Sequence, residues 1–126
     1  MPLVVAIDNG LGLEPPRGWR SWNQFQCGIN QTLIEAIYDK MAARTRSVNG
    51  ILTSLIDLGY KTAGIDDCWQ ACKSGPNGEG FHNERGYPIV DVLLFPDMKS
   101  MTSYAKTRGV IPGWYGNNCH CKDTVC

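Results

Sequence analysis

A chain of 126 residues in which twelve basic and twelve acidic side chains cancel offers no electrostatic footprint for nucleic acid or an anionic membrane surface. A neutral ligand suits it better. No apolar run approaches the roughly 20 residues of a membrane span, and the opening PLVVAI is too short, and lacks the basic flank, to act as a secretory signal.

The hydrophobic share of 43% supports a modest core in one domain, taken as residues 1–126. Six cysteines form a high, even count, which reads as disulfides in an oxidising compartment and as metal or redox chemistry in a reducing one. The triplet Asn30-Gln31-Thr32 makes Asn30 a candidate glycosylation acceptor and tips the balance towards the oxidising compartment.

In chain order, a Pro-Pro turn signal leads into a first strand over residues 18–22. Thr32 and Glu35 fit a capping box, and Leu33, Ile34, Ile37, Tyr38 and Met41 then recur at helical spacing. Asn49-Gly50 interrupts, after which Ile51, Leu52, Leu55, Ile56 and Leu58 resume the period until Gly59. This predicts a helix pair or one broken helix. A second strand is expected over residues 60–66, ending at an acidic pair. Residues 70–95 form a long connection rich in Gly, Asn and Pro, a length that points to function or disorder. Pro96-Asp97 opens a helix with Met98, Met101, Tyr104 and Ala105 on one face and Gly109 as its stop. Residues 110–116 read as a third strand, weakened by Pro112 and Gly113.

Strands alternating with amphipathic helices imply an α/β fold with parallel pairing. Ligands in such folds gather at the carboxyl ends of the strands. The residues there are Trp22, Asp66, Asp67 and Tyr115. Neighbours on a regular strand face opposite ways, so Asp66 and Asp67 can share a ligand only where the strand ends. Carboxylates accept charge-assisted hydrogen bonds from vicinal sugar hydroxyls, and an indole can cover the apolar face of a pyranose. The same pair could instead cap a helix or turn, with Trp69 as core, and for Trp19, Trp22 and Trp114 packing is the commoner role of large aromatics near strands. His82, in the polar connection, reads as solvated. His120 with Cys119, Cys121 and Cys126 has the wrong spacing for a usual zinc site. No metal or other cofactor is expected.

The stretches DNGLGLEPPRGWRSWNQFQCGIN, LGYKTAGIDDCWQ and FPDMKSMTSYAKTRGVIPGWY, in this order, resemble the amino-terminal part of the clan D α-galactosidases, glycoside hydrolase family 27. The similarity runs from about Asp8 to Tyr115 and makes the capping alternative for the acid pair the weaker one. It implies an incomplete (β/α)8 TIM barrel, roughly the first three βα units, without the rest of the barrel or the family's β-rich domain. By the same resemblance Trp22, Asp66, Asp67 and Tyr115 would bind galactose, with the acid pair on its O4 and O6 side, and Cys27 and Cys68 would form a disulfide.

The implied activity is hydrolysis of terminal α-linked galactose with retention. α-N-acetylgalactosaminidase activity and an inactive carbohydrate-binding remnant are the alternatives. A secreted, lysosomal or vacuolar setting and a homodimer of the full-length form also follow from the resemblance, with neither nucleic acid nor membrane as partner.

Retaining glycosidases need a nucleophile and an acid/base carboxylate roughly 5 Å apart. In the family these follow the fourth and sixth strands, so both are expected beyond the chain end, and no catalytic residue is assigned. Cys72 and the stretch GNNCHCKDTVC depart from the family pattern, which leaves the pairing of Cys72, Cys119, Cys121 and Cys126 open. Three βα units cannot close a barrel, so the isolated chain is expected to fold incompletely or to associate.

Overall fold

The computed structural model describes residues 10, 12–116 and 121. In chain order its elements are β1 (Gly18–Arg20), α1 (Trp22–Phe25), α2 (Gln31–Ala42), β2 (Arg46–Val48), β3 (Ile51–Thr53), β4 (Thr62–Ile65), α3 (Met98–Thr107) and β5 (Ile111–Trp114), with one short 3₁₀ turn at Pro76–Gly78. The strands β1, β4 and β5 form one sheet in that spatial order, with both pairings parallel. Trp19, Ala63 and Pro112 lie in one register row, and Arg20, Gly64 and Gly113 in the next. The expected α/β alternation with parallel strands is therefore present.

Helix α2 buries Ile34, Tyr38 and Met41, whereas α3 buries Met101 and Ala105. These meet Ala63 and Ile65 of β4 in a core that also takes in Ile29, Trp69, Phe81, Phe95 and Val110. At the helix surface the Tyr104 hydroxyl donates to Asp39 at 2.7 Å, and Arg108 pairs with the same carboxylate at 2.8 Å. Burial pushes the Tyr38 hydroxyl up to about 12, helped by the charge of Glu35.

The alternate register rows place Gly18, Thr62 and Ile111 on the opposite face of the sheet, where all three are exposed. Glycine is required at Gly18, because a Cβ there would collide with the hydroxyl and carbonyl of Thr62. At Gly64 the missing side chain leaves room for the Arg20 guanidinium, whose Nη1 would lie 3.2 Å from a Cβ.

Several expectations about local structure are corrected. The run after Asn49-Gly50 is a β-hairpin, not a helix: β2 and β3 pair antiparallel, and Asn49 and Gly50 take φ of 52° and 81°. Two consecutive positive φ values are what a two-residue hairpin turn of type I′ needs, and Asn-Gly supplies them at least cost. Val48, Ile51 and Leu52 are accordingly exposed, and only Leu55 and Ile56 from that run pack on the core.

The cap of α2 is Asn30 rather than Thr32, with Asn30 Oδ1 accepting from the Leu33 amide at 2.9 Å. Glu35 takes a bond from Gln31 Nε2 at 2.9 Å instead of returning one to the cap. The first strand stops at Arg20, and Trp22 begins a one-turn helix. The long connection is ordered through isolated bridges between Gln70 and Val90 and between His82 and Pro88. Asn83 Oδ1 closes its turn by accepting from the amides of Arg85 and Tyr87. His82 is half-buried with its ring 4.1 Å from that of Phe81 rather than simply solvated.

Candidate functional site

Because β1, β4 and β5 are adjacent and parallel, their exits lie along one edge of the sheet. Ser21, between the end of β1 and Trp22, is fully buried. Its amide donates to the Gly64 carbonyl at 3.2 Å, and its Oγ accepts from the Asp66 amide at 2.9 Å. The exit of β1 is thus sewn to the exit of β4. Trp22, next along, is 42% exposed.

Asp66 and Asp67 follow directly on β4, both half-buried. Regular strand geometry ends at Ile65, so the opposed orientation of strand neighbours does not bind them. Asp66 Oδ1 accepts from the Asp67 amide at 3.0 Å. Asp67 Oδ1 accepts from the Cys68 amide at 3.1 Å and from Gln70 Nε2 at 2.7 Å. Asp66 and Asp67 are each tied to the loop that follows through Oδ1, and neither is sunk in the core. Local capping and a place on the strand-exit edge hold together here.

Trp69 is buried core, as one reading of the sequence had it, but it also ties two exits together. Its Nε1 donates to the Tyr115 carbonyl at 2.8 Å. Its ring lies 5.8 Å from Phe81, edge-on, and 4.7 Å from Trp114. Tyr115, one residue past β5, is 37% exposed. The indoles left available to a ligand are those of Trp22 and Trp114, whereas Trp19 packs edge-on against Phe25 at 6.1 Å.

Cys27 and Cys68 form a disulfide with Cα atoms 5.1 Å apart, fixing the segment after α1 to the loop that carries the acid pair. A second disulfide joins Cys72 to Cys121, with Cα atoms 5.0 Å apart. Cys119, His120 and Cys126 lie outside the described residues. Among the described residues no group of three or more His, Cys, Asp and Glu side chains could hold a metal ion, and no helix is long and apolar enough to cross a membrane. Asn30 is exposed at the start of α2.

Sequence reasoning missed Ser21 and Gln70. Ser21 carries a weak signal, a small polar residue between the indoles of Trp19 and Trp22; Gln70 carries none beyond following the acid pair.

No protein-family model matches the chain. It is 35% identical over 114 residues to alpha-galactosidase 2 of Arabidopsis thaliana, a match that takes in 90% of the chain and 24% of that protein. It is 30% identical over 118 residues to an alpha-N-acetylgalactosaminidase of Gallus gallus, covering 88% of the chain and 26% of that protein. Among solved structures, an α-galactosidase of Saccharomyces cerevisiae superposes with a TM-score of 0.67 at 27% identity, over 88% of the chain and 22% of the other. The chain spans about a quarter of the length of the curated relatives it matches. Likeness in sequence and likeness in fold agree, and the chain belongs to the α-galactosidase family of glycoside hydrolases.

Proposed function

We propose that this chain is the amino-terminal part of an α-galactosidase, roughly the first three βα units of an incomplete (β/α)8 barrel, and that it supplies the galactose-binding side of the site. One observation carries this reading: three parallel strand exits stand side by side, with Trp22, Asp66 and Asp67, and Tyr115 just beyond them. The acid pair would accept hydrogen bonds from hydroxyls on the O4 and O6 side of galactose, and Trp22 would cover its apolar face. The exposed face of the sheet, with Gly18, Thr62 and Ile111, is where the remainder of a barrel would pack.

The parent reaction is hydrolysis of terminal α-linked galactose with retention through a glycosyl-aspartate intermediate. This reading gives the chain binding residues and no catalytic carboxylate, so the chain alone should not turn over an α-galactoside. The two disulfides support a secreted, lysosomal or vacuolar setting, in which Asn30 would carry a glycan; a homodimer of the full-length form belongs to the same reading. α-N-acetylgalactosaminidase activity is the second reading, favoured by the 30% identity to the Gallus gallus enzyme.

The test is a titration of the chain with galactose and with glucose, followed by amide NMR. Galactose should shift the signals of Trp22, Asp66 and Asp67 more strongly than glucose. The variant Asp66→Ala should weaken galactose binding by about tenfold to a hundredfold, as expected for one hydrogen bond to a charged group. Equal response to both sugars, or wild-type affinity in Asp66→Ala, would remove the acid pair from the site.

A further inference from the structure

We infer that Gln70 is a positioning residue, which sets the carboxylate of Asp67 for the sugar hydroxyl it receives. The inference rests on the galactose-binding reading above and adds a residue to it.

Gln70 is 3% exposed, a rare burial for a glutamine. Its main chain is held by the bridge to Val90, flanked by hydrogen bonds from the Ala71 amide to the Ile89 carbonyl and from the Asp91 amide to the Trp69 carbonyl, both at 2.9 Å. The side chain then has a fixed origin. Its Nε2 donates to Asp67 Oδ1 at 2.7 Å, the same oxygen that accepts the Cys68 amide at 3.1 Å. Two donors converging on one oxygen fix where that oxygen sits. The amide orientation is dictated as well, since reversing it would press an amide oxygen against the carboxylate.

The cost of this arrangement falls on Gln70 itself. Its Oε1 is buried and, among the described residues, has no hydrogen-bond partner. An orphaned buried acceptor destabilises a fold, and an apolar side chain of similar length would fill the same space without it. The bond to Asp67 offsets part of that cost, so packing alone does not account for a buried glutamine here, whereas the hold on Asp67 does. A functional group kept at a cost in stability is what a pre-organised binding site requires.

The experiment compares the full chain with its Gln70→Met, Gln70→Glu and Asp67→Asn variants. Galactose is the probe in NMR titrations, and each melting temperature is measured by circular dichroism. Gln70→Met keeps the packing and removes the donor and the orphaned acceptor together, two opposing effects of similar size on stability, so it should melt close to the wild-type temperature while its galactose dissociation constant rises about tenfold because Asp67 is no longer held in place. Gln70→Glu sets a second anion against Asp67 and should bind at least as weakly. In the wild type the Gln70 side-chain amide resonances should shift on galactose addition, a signature that packing alone would not produce.

Wild-type affinity in Gln70→Met, with binding lost in Asp67→Asn, would overturn the role of Gln70 and leave the sugar site standing. A fall in affinity accompanied by a matching fall in melting temperature would make Gln70 structural and overturn it too. Absence of galactose binding in the wild type would overturn the sugar reading itself, and this inference with it.

Discussion

Reducing the two disulfides should remove most of the stability of this chain. Cys27 and Cys68 are 41 residues apart, and Cys72 and Cys121 are 49 apart. In the chain-entropy treatment, closing a loop of either size takes about 4 kcal/mol of freedom from the unfolded chain. The two loops follow one another and share no residue, so their effects should add to about 8 kcal/mol. A small domain has only about 5–15 kcal/mol in total.

The structure that the disulfides hold should therefore melt in urea at a clearly higher midpoint in the oxidised chain, and the reduced, alkylated chain should lack native circular dichroism or lose it at far lower urea, whether or not the open sheet edge leads the chain to associate. Replacing one pair by alanines, Cys72→Ala with Cys121→Ala, should lower the midpoint by about 2 M if the urea slope is near 2 kcal/mol per M. A reduced chain with a midpoint within about 0.3 M of the oxidised one would refute the reasoning, because folding would then owe nothing to the constraint.

Trp69→Phe removes the bond to the Tyr115 carbonyl and part of a buried ring, and should cost about 2–4 kcal/mol in urea unfolding. Trp114→Phe, at a 54% exposed position, should cost less than about 1 kcal/mol. Tyr38, held up to about 12 by burial and by Glu35, contributes stability in full below the ordinary tyrosine value near 10, and that stability should fall away as pH rises from 10 to 12. Absorbance at alkaline pH should then resolve a late-titrating tyrosine whose ionisation tracks unfolding; its ionisation with the other tyrosines would refute this. Gly50→Val, at φ of 81°, should cost about 1–2 kcal/mol and fray the β2–β3 hairpin with little change in the core. Loss of the core signals along with the hairpin would show that the hairpin supports the fold.

The parts of the fold that were legible in the sequence are those in which one local signal has no rival. The face of α3, with its Asp97 cap and Gly109 stop, could form only one element. The run from Asn49 to Leu58 carries two signals at once: an Asn-Gly turn and apolar residues at helical spacing. The turn prevailed because two consecutive positive φ values break a helix outright, whereas apolar spacing only describes which side would be buried if a helix formed. The cap of α2 was misplaced by two residues for a related reason. Thr32 and Glu35 fit the capping pattern, but Asn30 stands earlier and reaches the Leu33 amide, so the helix has already begun.

The residues at the strand exits were legible because carboxylates and indoles are conspicuous there; what holds them in place was not. Ser21 Oγ meets the Asp66 amide across 45 residues, and Trp69 Nε1 meets the Tyr115 carbonyl across 46. Both spans are close to one strand-helix-strand step, and in both a bond near one strand exit fastens the exit of the strand beside it. The device is the same, yet one instance uses a serine hydroxyl as acceptor and the other an indole as donor, with no shared residue pattern to betray it. Such ties arise from register between neighbouring strands, a property of the pairing rather than of any window of sequence. The edge of the sheet can therefore be found from composition, but its rigidity, on which the grip of Asp66 and Asp67 depends, is visible only once the strands are laid side by side.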